Sequence, residues 1–75
     1  MDVATIRLLR LARPFRPFAM VLTDGRILDV DLPYRLAIAP SGHELAFASK
    51  TDGMIFIRPT DVQEVRNNGL AGEAN

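Results

Sequence analysis

"FAMVLTDGRILDVDL", residues 18–32, is two runs of alternating character on either side of Asp24-Gly25. Period two is the mark of a strand with an inner and an outer face. Asp-Gly between such runs is a strong hairpin signal, because both central positions of a two-residue turn take φ > 0. A two-residue loop pairs Thr23 with Arg26, Leu22 with Ile27, Val21 with Leu28 and Ala19 with Val30. On that register Leu28, Val30 and Leu32 share one face, and Asp29 and Asp31 share the other. Met20 opposes Asp29 and Phe18 opposes Asp31, so the second face is mixed. Such content predicts a strand that bends around a small barrel, or one covered by a helix or a second subunit.

Upstream, "ARPFRPFAM", residues 12–20, repeats Pro-Phe at a spacing of three. Before it, residues 3–12, "VATIRLLRLA", predict a short helix with Asp2 as N-cap. At 100° per residue Ala4, Leu8, Leu11 and Ala12 fall together, with Leu9 on their flank. Arg7, Arg10 and Arg13 fall opposite, joined by Val3 and Ile6. The expectation is that the leucine side lies on a sheet and the arginines point outward. Pro14 ends this helix by removing a donor and pushing Arg13 out of the α region. Pro17 suits the start of a strand. Pro14 and Pro17 therefore punctuate, and Phe15 and Phe18 anchor the joint in the core. A PxxP ligand would need this segment exposed and free to adopt polyproline II, and the flanking elements argue against that.

Downstream the alternation continues. In "RLAIA", residues 35–39, Leu36 and Ile38 face one way and the alanines the other. "PSGH", 40–43, is a turn by composition. "ELAFAS", 44–49, again alternates large and small, and "KTDG", 50–53, is another turn. "MIFIR", 54–58, predicts a strand buried at least partly on both faces. Pro59 closes it, and Thr60 opens a short turn before a last strand carrying Val65. Residues 67–75 are expected to be a flexible tail.

A chain of 75 residues is one domain at most. At this size folding hides only about 60% of the unfolded surface, so stability is thin without a staple. There is no cysteine, which removes disulfides and thiolate metal sites, and one histidine makes a structural metal a poor expectation. No cofactor is expected. Yet 48% of the residues are apolar, which makes self-association the leading way to cover the excess. "IRLLRLAR" is broken by arginine every third residue, so it offers no secretory or membrane-spanning segment. A cytoplasmic location without membrane contact is the expectation.

Net charge is zero but unevenly placed. Residues 1–16 hold four arginines against Asp2, a balance of +3, and the remainder holds five bases against eight acids, a balance of −3. Arg7, Arg10, Arg13 and Arg16 thus form a candidate anion- or RNA-binding stripe. The competing reading is a basic helix that neutralises its own acidic body. Zero overall charge and a single tyrosine weigh against nucleic acid, which calls for basic surfaces and stacking platforms. Chemistry is scarcer still. His43 stands beside Ser41 and Glu44 in a turn, without the orienting third group that nucleophile activation needs. Asp29 and Asp31 sit roughly 7 Å apart on one strand face, short of the oxygen ligands a hard cation requires. The chain is expected not to be an enzyme.

Residues 13–33, "RPFRPFAMVLTDGRILDVDLP", with "LAIAPSG" after them, resemble a family of short, uncharacterised bacterial proteins. Pro14, Phe15, Arg16, Pro17, Phe18, Leu22, Asp24, Gly25 and Arg26 carry the likeness, which brings no activity with it. More loosely, the chain is similar to the Sm-like (Hfq-type) family in its N-terminal helix, its first hairpin at "MVLTDGRILDVDL" and its closing "IFIRPTDVQEV". That resemblance implies ring assembly through strand edges and RNA binding. However, Val30 stands where that family often has a strand glycine, and "IRPTDV" replaces its Tyr-Lys-His signature. Together these readings predict a mainly β chain, with an N-terminal helix followed by a five- or six-stranded bent barrel or roll of SH3/Sm-like kind. Residues 1–66 form the domain, which associates with itself or another protein, and Sm-like RNA binding is the alternative.

Overall fold

The first hairpin is built on a different turn from the one Asp-Gly suggests. A computed structural model of the chain describes residues 1–67. In it β1 (Phe18–Leu22) pairs antiparallel with β2 (Ile27–Val30), matching Val21 with Ile27, Met20 with Leu28 and Phe18 with Val30. The pairing is shifted by one residue from the expected register. The loop has three residues, Thr23 to Gly25, closed by bonds from the Leu22 N–H to the Arg26 carbonyl (2.8 Å) and from the Gly25 N–H to the Leu22 carbonyl (3.0 Å). Only Gly25 takes positive φ, at 92°, and Asp24 keeps an ordinary backbone. A three-residue loop with glycine in the left-handed position satisfies the same sequence at one strained residue instead of two. The Asp24 carboxylate holds the loop, accepting from the Arg26 N–H (3.0 Å) and its Nε (2.8 Å). The backbone bond above all keeps that carboxyl below the usual range.

The shift repairs the mixed face. Phe18, Met20 and Leu22 now lie on the same side as Leu28 and Val30, and all five are buried. A one-residue slip exchanges every side chain between faces, which is why the slip turns a mixed face into a core. Gly25→Ala is expected to cost about 1–2 kcal/mol through backbone strain alone, since an added Cβ would meet nothing within 4 Å. Urea titration checks this, and a loss near zero would remove the argument for the turn.

Among the described residues, six strands form two three-stranded antiparallel sheets. After β2, a 3-10 turn (Pro33–Arg35) leads into β3 (Leu36–Ile38), β4 (Leu45–Ala48) and β5 (Met54–Ile57). A second 3-10 turn (Pro59–Asp61) precedes β6 (Val62–Arg66). One sheet has the order β2-β1-β6, the other β3-β4-β5. From the second, Leu36, Leu45, Phe47 and Ile57 enter the common core, and β6 adds Val62. The chain is therefore mainly β, and the tail expected at 67–75 lies, but for Asn67, outside the described residues.

Helix α1 (Val3–Leu11) is capped by Asp2, whose Oδ1 accepts from the Ala4 N–H at 3.1 Å. It ends one residue before the expected Ala12 and presents the face opposite to the expected one. Ile6 is fully buried, with Val3 and Leu9 packed beside it, whereas Leu8 and Leu11 are exposed. Arg10 is half-buried and its Nε donates to the Leu36 carbonyl, tying the helix to β3. Phe18 is buried and Phe15 half-buried, their rings 6.0 Å apart and tilted by 56°. Pro14 is exposed and follows a cis peptide bond, and Pro17 stands just before β1.

Candidate association surface

The register of the second sheet separates its two faces completely. Leu36 pairs with Phe47 and Phe47 with Ile55, while Ile38 pairs with Leu45 and Leu45 with Ile57. These residues face the core. The alternate positions are Ala37 on β3, Ala46 and Ala48 on β4, and Met54 and Phe56 on β5. All five outward positions are apolar. Phe56 is 63% exposed and Met54 52% exposed, so large side chains at the β5 edge stand beside a floor of alanines. The expectation that "MIFIR" is buried at least partly on both faces holds on the core side, while Met54 and Phe56 are more exposed than buried, because no element of the described chain covers that side.

The floor continues toward the helix. Leu11 and Arg7 border a groove whose other wall is Ala37 and Ile38 of β3 with Ala39 and Pro40 after it. Exposed single apolar residues are ordinary, but a connected apolar patch on a small protein marks an interaction site.

The charged residues are arranged for structure. Asp31 follows β2 and sits between the Arg35 Nε at 2.6 Å and the Lys50 Nζ at 3.0 Å. Arg35 also donates to the Ala48 carbonyl at 3.1 Å, so it ties the first 3-10 turn to both sheets. The hydrogen bond from Lys50 leads in holding the Asp31 carboxyl below its usual range, with the charge of Arg35 adding to it against partial desolvation. A carboxyl so lowered contributes stability above its unfolded pKa and loses it as pH falls through the folded value. Asp29, expected beside Asp31 on an open face, is exposed within β2. The cleft beside these groups, about 310 Å³, has Phe47 and Ile55 in its lining and opens to solvent.

The arginine stripe is divided. Arg7 and Arg10 lie on α1, with Arg10 committed to β3, and Arg13 and Arg16 lie beyond the helix in the exposed part of the joint. His43 is exposed in the β3–β4 turn, and its own N–H donates to the Ser41 hydroxyl at 3.2 Å. Ser41 thus shapes a turn. Among the described residues no cluster of acidic side chains and histidine is placed to hold a metal ion, and no helix is long and apolar enough to cross a membrane. No family model, curated protein or solved structure matches this chain.

The large/small alternation of "RLAIA" and "ELAFAS" does not by itself mark the alanine side as a surface. The signal was present in the alanines themselves. A solvated sheet face ordinarily carries polar residues, and here it carries none.

Proposed function

We propose that this chain is a small, non-enzymatic β-rich domain that works by association, through the outer face of β3-β4-β5. The observation that carries the reading is the absence of any polar side chain at the five outward positions of that sheet. We read the two sheets as halves of one strongly bent roll. In support, β1 pairs with both β2 and β6, a helix precedes them, and a 3-10 turn leads into the last strand. That order is the one implied by the Sm-like resemblance.

Phe56→Lys tests the association. The wild-type chain is expected to sediment with concentration-dependent mass, and the variant as a monomer over the same range. Because Phe56 is mostly exposed, the variant's intrinsic stability should change by no more than about 0.5 kcal/mol. A wild-type chain that stays monomeric at high concentration would overturn self-association. RNA binding through Arg7, Arg10, Arg13 and Arg16 is separated by salt titration against a generic RNA. Affinity that falls steeply as salt rises would move the reading to phosphate contacts.

A further inference from the structure

The two edges of the β3-β4-β5 sheet are finished differently. On β3, the bond from the Ala39 N–H to the Glu44 carbonyl (2.9 Å) fixes the alternation of the ladder. It turns the backbone groups of Leu36 and Ile38 away from β4, toward the open side. There the Leu36 N–H meets the Pro33 carbonyl and its C=O meets Arg10. Leu36 is thus taken up by the 3-10 turn and by Arg10 of α1, and the helix runs beside Ala37 and Ile38 on this edge. On β5, the bond from the Ser49 N–H to the Gly53 carbonyl (2.8 Å) fixes the alternation in the same way. Ile55 and Ile57 bond toward β4, and the N–H and C=O groups of Met54 and Phe56 point off the sheet. "MIFI" carries no charge, proline or bulge to discourage pairing, the usual protections of an edge strand.

We infer that a second copy of this chain adds to the β5 edge, antiparallel, about a two-fold axis at Ile55. This inference rests on the association reading above, names its partner, and places the contact at the β5 border of that face, where Met54 and Phe56 meet their counterparts. Three antiparallel registers use the outward-pointing groups, and their consequences differ. Centring on Met54 sets Arg58 opposite Lys50 of the second copy, a like-charge pair. Centring on Phe56 needs the Arg58 N–H, which already donates to Asp61 Oδ2 at 2.9 Å. Centring on Ile55 joins Met54 to Phe56 of the second copy, and Phe56 to its Met54, using all the free groups of both residues.

That register also sets Met54 beside an aromatic ring twice, a favourable sulfur contact. One step further out it places Arg58 opposite Asp52 of the second copy, on the same face and again twice. Both side chains are exposed, and neither has an ion-pair partner among the described residues. A strand with a base at one end and an acid at the other is complementary to its own antiparallel copy. The result is one six-stranded sheet running through both molecules.

Sedimentation equilibrium on the wild type, Asp52→Arg, Arg58→Asp and the double exchange tests the pairing. The wild type is expected to be a dimer. Each single exchange creates two like-charge pairs and should raise the dissociation constant by about tenfold. The double exchange restores opposite charges across the axis and should return it to within about threefold. A dimer indifferent to either single exchange overturns this register and leaves association standing. A wild-type monomer at every concentration overturns both. An assembly that grows beyond two copies overturns the closed two-fold.

Discussion

Phe18→Ala is expected to remove between about a third and all of the chain's folding stability. Phe18 has no accessible surface and its ring sits against Phe15 where the joint enters β1. Truncating a buried phenylalanine costs about 3–5 kcal/mol, part lost transfer energy and part cavity. Domains hold roughly 0.05–0.15 kcal/mol per residue, so the 67 described residues correspond to about 3–10 kcal/mol. The substitution therefore removes about a third of the stability at the upper end of that range, and all of it at the lower end. Collapse around the cavity offers little relief, because Met20, Leu22 and Val30 are already fully packed. Urea-monitored circular dichroism decides the matter. A transition close to the wild-type midpoint would mean that the joint is not the keystone of the core.

The two phenylalanines of the joint were legible because proline has few uses. A helix that must stop and a strand that must start, six residues apart, leave little else for two Pro-Phe steps to do. Strand number and the β-rich class were legible for a related reason, since turn residues and alternation agree at every boundary. The hairpin register was not. Asp-Gly admits a two-residue turn with two positive φ values or a three-residue turn with one, and local sequence does not choose. The core chooses, by gathering Phe18, Met20, Leu22, Leu28 and Val30 on one side. The mixed face found on the two-residue register was itself the sign that the register was off by one.

The outer face of the second sheet was half legible. Alternation in "LAIA", "LAFA" and "MIFI" places Ala37, Ala46, Ala48, Met54 and Phe56 on one side once the strands are paired. What sequence lacks is the knowledge that nothing in the described chain lies over them. The helix was the obvious candidate cover, and it goes to the edge at β3 instead.

Ile6→Asp and Leu8→Asp are expected to differ by several kcal/mol, in the order opposite to the one helical periodicity suggests. On a wheel, Ala4, Leu8 and Leu11 form the most apolar arc, and a helix free to choose would bury it. This helix is not free. Its last turn is bound to β3 through Arg10, and six residues after its C-cap Ala12 the chain must enter β1 at Phe18. Those constraints rotate Val3, Ile6 and Leu9 inward and leave Leu8 at 72% exposure. A carboxylate at Ile6 would lose the burial of the side chain and put an unpaired charge into the core, a change of about 4 kcal/mol or more. The helix would undock, or the domain would unfold with it. A carboxylate at Leu8 faces water and should cost within about 0.5 kcal/mol. Thermal unfolding of the two variants reads the difference directly. If Leu8→Asp were the destabilised one, the helix would be lying on its leucines, and Arg10 would not reach the edge of β3. The edge of β3 would then be left as open as that of β5, and the case for pairing two copies at β5 would lose its contrast.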